Sequence, residues 1–253
     1  MLGTRVMPCL LLRNASLVKT VQFKNASYVG DPVNAIRIYN EKEIDELILL
    51  DIGATPEGRE PSFHIIADIA SECFMPVAYG GGIATLEHIR TVLRLGIEKV
   101  ALNTHAIENP DLVRRAAERF GSQSIVVSID AKKRLWGGYE VCTRGGRRPT
   151  GMDPAEVAAR MAALGAGEIL VTSIDRDGTM KGYDLELLKH VSRAVEVPVI
   201  ACGGAGSLGH FQQAVKVGGA AAVASGSMVV YYGPHRAVLI NFPKPEDLRG
   251  LFT

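Results

Sequence analysis

The chain has 253 residues, which is long for one ordinary domain and short for two. Hydrophobic residues make up 47% and charged residues 22%, a balance that excludes a disordered or fibrous protein. The 28 basic and 27 acidic residues leave a net charge of +1, so the basic excess of nucleic-acid-binding proteins is absent. No apolar run approaches the roughly 18 residues that a membrane span needs.

The amino-terminal segment is apolar from Val6 to Leu12. This stretch is at the short limit of a signal peptide's apolar region, and no small-x-small cleavage motif follows it. We therefore predict a buried first strand in a cytoplasmic protein. The cysteines, Cys9, Cys73, Cys142 and Cys202, show no C-x-x-C motif and no metal-like pairing with histidine. This pattern predicts reduced, packed thiols, no metal site and no cofactor.

Short apolar runs without polar alternation recur along the chain, as expected for strands of a parallel sheet buried on both faces. There are eight of them, at residues 5–12, 46–50, 77–79, 99–102, 124–129, 168–172, 199–202 and 221–224. Between them lie stretches with apolar residues at helical spacing, among them 86–95, 111–120, 154–164 and 185–195. Eight strands that alternate with helices predict one α/β domain over residues 1–253, a (β/α)8 TIM barrel.

The two halves of the chain are similar to each other at an offset of 122 residues. Residues 75–89 align with residues 197–211, and the matched pairs are Pro76 with Pro198, Gly81 with Gly203, Gly82 with Gly204 and His88 with His210. A solenoid would repeat every 20–50 residues or so. One repetition at half the length instead predicts two fused half-barrels, at about 1–120 and 121–253.

In a barrel of this kind, ligands bind at the carboxyl ends of the strands. The candidates for phosphate or substrate binding are therefore the residues that follow the apolar runs: Asp51, Gly81, Gly82, Asn103, Thr104, Asp177, Gly178, Thr179, Gly203, Gly204, Ser225, Gly226 and Ser227. Glycine at a strand end lets backbone N–H groups approach an anion. One glycine pair could serve only to turn the chain, but two pairs at repeat-related positions favour two phosphate sites.

Asp130 ends the apolar run 124–129. A carboxyl group there would lie at the mouth of the core, where desolvation raises its pKa toward the range of a general acid or base. The alternative is a helix cap or a partner for Lys132, and spacing alone does not separate the two. The same alternatives hold for Asp177, because Asp-Gly-Thr is also a favourable turn sequence.

Four charged residues begin strands at the opposite end of the predicted barrel: Arg5, Glu46, Lys99 and Glu168. They form either a set of salt bridges that closes the barrel floor or a gate for a small polar molecule. At the other face, the basic segment 132–150 predicts a hairpin over the active site. It either clasps an anionic substrate or is a solvated loop.

Three motifs resemble those of the HisF family, the cyclase subunit of imidazole glycerol phosphate synthase. They are Ser-Ile-Asp-Ala-Lys at 128–132, Thr-Ser-Ile-Asp-Arg-Asp-Gly-Thr at 172–179 and Ala-Cys-Gly-Gly-Ala-Gly at 201–206. More loosely, Gly-Asp-Pro at 30–32 resembles the first loop of the family, and Lys19 resembles its mobile-loop lysine. The resemblance covers residues 1–226 and implies a barrel with two phosphate sites.

The resemblance also implies a partner. In this family a HisH-like glutaminase docks at the amino-terminal face, and ammonia passes through the barrel by a gate that matches Arg5, Glu46, Lys99 and Glu168. No cysteine of the chain lies in a G-x-C-x-G nucleophile elbow. Glutamine hydrolysis is therefore expected on the separate glutaminase, with this chain as the lyase-type or cyclase-type subunit of a glutamine amidotransferase.

One departure from the family concerns the catalytic aspartates at the ends of strands 1 and 5. Asp130 matches the second, but Leu11 stands where the family has the first. Leucine cannot transfer a proton, and general acid–base catalysis is worth about 10²–10⁴-fold, so the family cyclisation should be crippled. The carboxyl end departs as well, because Pro234, Pro243 and Pro245 interrupt the region of a long eighth helix. Only a short helix at 245–251 is predicted there.

Both departures resemble HisF-like paralogues found with surface-polysaccharide genes. That branch implies ammonia delivery to a phosphorylated or nucleotide-sugar substrate, with conversion of an acetamido to an acetamidino group in lipopolysaccharide synthesis. Whether an ATP-dependent amidating enzyme joins the complex is left open. The alternatives are a histidine-pathway cyclase, which two phosphate sites favour, and a non-catalytic scaffold that activates the glutaminase.

Overall fold

A computed structural model describes residues 4–252. The strands are β1 (Arg5–Arg13), β2 (Ser16–Val21), β3 (Lys24–Gly30), β4 (Leu47–Asp51), β5 (Val77–Gly80), β6 (Lys99–Leu102), β7 (Ile125–Lys133), β8 (Tyr139–Thr143), β9 (Arg148–Pro149), β10 (Glu168–Ser173), β11 (Val199–Cys202), β12 (Ala222–Ser225), β13 (Tyr231–Tyr232) and β14 (Ala237–Val238). The helices are α1 (Pro32–Glu41), α2 (Phe63–Glu72), α3 (Leu86–Arg94), α4 (Thr104–Glu108), α5 (Asp111–Phe120), α6 (Pro154–Ala163), α7 (Leu185–Ser192), α8 (Leu208–Lys216), α9 (Ser227–Val230) and α10 (Pro245–Leu248), with a 3-10 turn at Ser122–Ser124.

Eight parallel strands close into a barrel in the order β1, β4, β5, β6, β7, β10, β11, β12. Each pairs with the next, and β12 returns to β1 with Arg5 opposite Ala222. Helices connect consecutive barrel strands, which is the arrangement that parallel neighbours require. The predicted (β/α)8 fold is therefore confirmed.

Alternation along the barrel strands divides the core into two layers. On β1, Leu10 and Leu12 face outward into the large cluster between strands and helices, whereas Met7 and Cys9 face the barrel axis. The axial layer is apolar and contains several small side chains: Ala78, Ala101, Ala222 and Ala224. Burial on both faces explains why the barrel strands are continuous apolar runs in the sequence.

The helices begin where local sequence dictates. Asp153 Oδ1 accepts hydrogen bonds from the backbone N–H groups of Ala155 (2.8 Å) and Glu156 (3.3 Å), and Pro154 occupies the first helical turn of α6. Such a cap satisfies donors that a helix end leaves free. The predicted helices 86–95, 111–120, 154–164 and 185–195 correspond to α3, α5, α6 and α7 within three residues at each end.

Three segments depart from a plain barrel. Two of them are insertions that extend its carboxyl face. β2 and β3 form a hairpin within the first loop. In the fifth loop, β8 pairs antiparallel with β7, and β9 pairs antiparallel with β8. At the carboxyl end, a small β13–β14 hairpin and the four-residue α10 replace a long eighth helix. Pro234 and Pro243 account for part of this replacement, since each removes a backbone donor that a continuous helix would use. Pro245 instead begins α10, where the first N–H has no helical partner.

The internal similarity has a structural counterpart. His88 Nδ1 lies 3.3 Å from the backbone nitrogen of Ala84, and His210 Nδ1 lies 3.1 Å from that of Gly206, the same contact at the offset of 122. We propose on this basis that the chain consists of two related half-barrels. Between residues 4 and 252, no helix is both long enough and apolar enough to cross a membrane.

Candidate functional site

A cavity of about 320 Å³ opens at the carboxyl ends of the barrel strands. Most candidates from the sequence line it: Lys19, Asp51, Gly81, Gly82, Asn103, Thr104, Asp130, Asp177, Gly178, Gly203, Gly204, Gly226 and Ser227, together with Leu11. Residues far apart in sequence meet here because parallel strands present all their carboxyl ends at the same mouth.

Two candidate side chains do not reach the cavity. Ser225 follows Ala224, which lines the cavity, so strand alternation turns the serine hydroxyl away, where it is buried with no hydrogen-bond partner among the described residues. Thr179 donates its hydroxyl to the backbone oxygen of Arg176 at 2.7 Å. One of these side chains faces the outer layer and the other closes its own turn, so the binding role predicted for Ser225 and Thr179 stays a prediction.

The two glycine pairs occupy equivalent places on opposite sides of the cavity. Gly81 follows β5 with a φ of +122°, and Gly203 follows β11 with a φ of +85°. A Cβ at Gly203 would lie 2.8 Å from the backbone oxygen of Ser173, and one at Gly81 would collide with the backbone oxygen of Asp51. Both positions require glycine, because the chain turns close over the end of the neighbouring strand. Their backbones are exposed to the cavity, as an anion site needs.

Asp130 projects from β7 into the cavity. Asn103 Nδ2 donates to Asp130 Oδ2 at 3.2 Å and to the backbone oxygen of Ser128 at 2.9 Å. Burial, with a smaller contribution from the negative charge of Asp177, raises the pKa of Asp130 to about 7. A carboxyl group with such a pKa can give or take a proton near neutrality.

Asp177 is the second buried carboxyl group of this wall. Burial raises its pKa, while nearby Lys19 opposes the rise. Thr20 Oγ1 lies 3.1 Å from Asp177 Oδ2, and the backbone N–H of Gln22 donates to the backbone oxygen of Asp177 at 2.9 Å. The β2–β3 hairpin therefore holds Asp177 in place.

The wall across from Asp130 is apolar. Leu11 on β1 pairs in register with Leu50 on β4, and both side chains line the cavity. Asp51, the next residue on β4, turns its carboxylate into its own loop, where Oδ1 accepts from the N–H groups of Gly53 (2.9 Å) and Ala54 (3.1 Å). The corner at Leu11 is thus apolar.

Two inserted segments cover the cavity. Phe23, Asn25 and Ala26 of the first hairpin line it, as do Gly145 and Arg147 of the fifth loop. A Cβ at Gly146 would lie 2.9 Å from Phe23, so the two segments meet closely. Lys19 is buried beneath them, and its ammonium group lies directly against Gly226. The basic hairpin expected at 132–150 is present, although Leu135 and Trp136 at its tip are 98% and 99% exposed.

Sequence reasoning missed the contribution of Thr20 and Phe23. A two-residue turn at Asn14 and Ala15, both with positive φ, starts the hairpin that carries them. A sequence signal existed in the β-branched residues Val18, Thr20 and Val21, but the usual Asn-Gly of such turns is absent.

The amino-terminal mouth of the barrel is closed by a ring of charges. Arg5 forms ion pairs with both Glu46 and Glu168. Lys99 Nζ lies 2.8 Å from Glu46 and 3.2 Å from Glu168. Each charge of the ring thus has two partners of opposite sign, and the Glu46 side chain is only 4% exposed.

The described residues offer no cluster of three or more histidine, cysteine, aspartate or glutamate side chains that could hold a metal ion. The cysteines are free thiols, and Cys9 and Cys202 both line the cavity floor. A hydrogen bond with the Cys202 thiol, opposed by burial, lowers the pKa of Cys9. The cavity therefore combines acidic, thiol and backbone N–H groups.

Comparison with known proteins gives a consistent result. A family model described as "Histidine biosynthesis protein" matches residues 5–235. A Pseudomonas aeruginosa protein, provisionally named imidazole glycerol phosphate synthase subunit hisF2, is 53% identical over 98% of this chain and 99% of its own length. A Leptospira interrogans protein provisionally named as subunit HisF is 47% identical over the full length of both chains. Imidazole glycerol phosphate synthase subunit HisF of Streptomyces coelicolor is 48% identical over 93% of each chain.

Proposed function

The chain belongs to the HisF family of histidine biosynthesis proteins, and from this premise we propose that it is the ammonia-receiving synthase subunit of a glutamine amidotransferase. A HisH-like glutaminase binds at the amino-terminal face and releases ammonia there. The ammonia passes through the barrel to a phosphorylated or nucleotide-sugar substrate at the carboxyl face. The reaction converts an acetamido substituent to an acetamidino group in the synthesis of a lipopolysaccharide sugar.

The proposed route follows the barrel axis. It begins at the ring of Arg5, Glu46, Lys99 and Glu168, whose paired side chains would have to separate to admit ammonia. Above the ring lie apolar residues and the four axial alanines. An apolar path suits neutral ammonia and excludes ammonium, because an unpaired ion is strongly disfavoured away from water.

Leu11 is the observation that carries the choice of reaction. It lines the cavity on the wall opposite Asp130, where the family's cyclase has a carboxylate. A cyclisation that needs two proton-transferring groups loses one of them, and Asp51 on the next strand is held by its own loop. Ammonia addition to an activated acetamido carbon needs only one such group.

Asp130 suits that single role. Its pKa of about 7 lets its carboxylate take the proton that attacking ammonia loses as the new C–N bond forms. The amide oxygen leaves only if another enzyme has first activated it, so an ATP-dependent amidating partner completes the proposal. The glycine loops at 81–82 and 203–204, with Lys19 and Arg147, would hold the phosphate groups of the substrate.

A specific observation favours the cyclase of histidine biosynthesis as the second candidate. The two glycine loops lie on opposite sides of one cavity, which suits a substrate with a phosphate at each end. The similarity to the Streptomyces coelicolor subunit extends over nearly the whole chain. A third candidate, a scaffold that only activates the glutaminase, needs no cavity acid such as Asp130.

The decisive experiment supplies the purified chain with ammonium and the histidine-pathway substrate. We expect no imidazole product from the wild-type chain, and a gain of about 10²-fold or more for Leu11→Asp, since this change restores a second acid–base group. Leu11→Asn, which has similar size but cannot transfer a proton, is the control. Appreciable cyclisation by the wild-type chain would instead establish the cyclase.

A second experiment separates a gate from a salt-bridge floor. Lys99→Met is assayed in the complex with the glutaminase for product formed per glutamine hydrolysed. A gate predicts a lower ratio, because ammonia escapes before it enters the barrel. Lys189→Met, which removes a surface ion pair with Glu186, is the control. A loss of stability with an unchanged ratio would show that the ring only closes the floor.

A further inference from the structure

The walls of the cavity differ in chemistry from one side to the other. On one side, Leu11 and Leu50 lie in register on adjacent strands, and Cys9 and Ala224 continue this apolar surface. Leu50 lies flat against the backbone of the next strand, since a Cβ at Gly80 would be 2.9 Å from its Cδ2 atom. This side therefore presents hydrocarbon to the cavity, bounded by the buried ammonium group of Lys19 beside Gly226.

The other side is polar. Asp130 on β7 pairs in register with Thr172 on β10, and both line the cavity beside Asn103 and Asp177. In a closed barrel of eight strands, β7 is the fifth strand and lies across from β1, and β10 lies across from β4. A ligand on the axis thus has leucines on one flank and acidic groups on the other.

We infer that Leu11 and Leu50 form a seat for a methyl-sized alkyl substituent of the substrate. This inference rests on the proposed function, in which the substituent is the methyl of the acetamido group. With that methyl against the leucines, the carbonyl carbon lies toward the axis, where ammonia arrives, and its polar atoms face Asp130. Leu11 is then a specificity-determining residue as well as the site of a lost acid–base group.

The same geometry selects against competitors. A substrate with a hydroxyl group at this place would lose its hydrogen bonds to water and find no partner among the leucines. A substrate without the methyl would leave part of the seat unfilled. One methyl or methylene in an apolar pocket changes affinity about 10–200-fold, so the discrimination is measurable.

The test uses two ligands that differ by one methyl group: a UDP-linked N-acetylhexosamine and its N-formyl counterpart. Their dissociation constants are measured by calorimetry with the chain alone and in its glutaminase complex. We expect the acetyl ligand to bind about 10-fold more tightly to the wild type. Leu11→Asn should bring the ratio close to one, whereas Leu11→Met, which keeps an apolar side chain of similar volume, should preserve it.

Leu135→Asn is the matched control, because Leu135 is 98% exposed at a hairpin tip and does not line the cavity. It should leave the ratio unchanged. If Leu11→Asn fails to fold, Leu11→Ala replaces it and should lower the ratio. Equal binding of both ligands to the wild type would overturn the alkyl seat alone. So would a ratio of dissociation constants that Leu11→Asn or Leu11→Ala leaves unchanged. Failure of the wild type to bind either ligand would overturn the proposed sugar substrate, and the alkyl seat with it.

Discussion

The two mouths of the barrel differ in whether their buried charged groups have partners of opposite charge. At the amino-terminal mouth, two cations and two anions form a ring in which every charge has two partners. At the carboxyl-terminal mouth, Asp130 faces leucines and has another carboxyl group nearby. Opposite charges compensate each other at the first mouth, whereas burial raises the pKa of Asp130 to about 7 at the second. The ring of paired charges suits a closed end of the barrel, and the carboxyl group of Asp130 suits proton transfer.

The largest effect is expected from removing the acidic group of the carboxyl mouth. Asp130→Asn keeps the size of the side chain but cannot take a proton, so ammonium-dependent turnover should fall about 10²–10⁴-fold. The rate is measured with saturating ammonium, and glutaminase binding is measured in parallel and should not change. A decrease of less than about threefold would mean that Asp130 does not transfer protons in the reaction.

The same carboxyl group should make stability depend on pH. Because its folded-state pKa of about 7 lies above the ordinary value of 3.8, the folded protein binds more protons than the unfolded chain between these two pH values. The free energy of unfolding therefore falls as pH rises from about 4 to 7, by at most about 1.4 kcal/mol for each pH unit. Urea unfolding across this window should show the wild type losing stability relative to Asp130→Asn, which has no proton to release. A stability difference that stays constant with pH would contradict the raised pKa.

Opening the ring at the other mouth should have a moderate effect. Glu46→Gln leaves Arg5 and Lys99 each with one anion fewer. We expect a loss of about 2–3 kcal/mol in the free energy of unfolding. This loss is smaller than that of a deeply buried pair, because both cations are partly exposed. Glu118→Gln, which breaks a surface pair with Arg114, should cost about 0.5 kcal/mol or less. Equal losses for the two variants would show that the ring is energetically an ordinary surface feature.

The smallest effects are expected just outside the cavity. Thr179→Ala and Ser225→Ala should change substrate affinity less than about twofold, because neither side chain reaches the cavity. Ser225→Ala should leave stability unchanged or raise it by up to about 1 kcal/mol, since it removes a buried hydroxyl without a partner among the described residues. Gly204→Ala should, by contrast, disturb the site, because a Cβ at position 204 collides with the backbone of Gly182. A strong loss of affinity for Thr179→Ala would place its hydroxyl on the ligand after all.

Much of the fold is predictable because its signals are local. Strands buried on both faces are continuous apolar runs, and the helix predicted at 111–120 matches α5 to the residue. Pro234 and Pro243 indicate that a long eighth helix is absent. The hairpin of β2 and β3 is not predicted, because its turns use Asn14, Ala15, Gln22 and Phe23 at positive φ, and of these only Asn14 is a typical turn residue.

The sequence by itself determined the order of strands and helices and the charged residues at the starts of four strands. These follow from periodicity and strand position, which are properties of neighbouring residues. Only the tertiary structure decided that Leu11 and Leu50 face Asp130 across a cavity, that Thr20 holds Asp177, and that Ser225 points away. Those relations depend on how eight strands close into a barrel and on which atoms are thereby removed from water. No short stretch of the chain determines either of these.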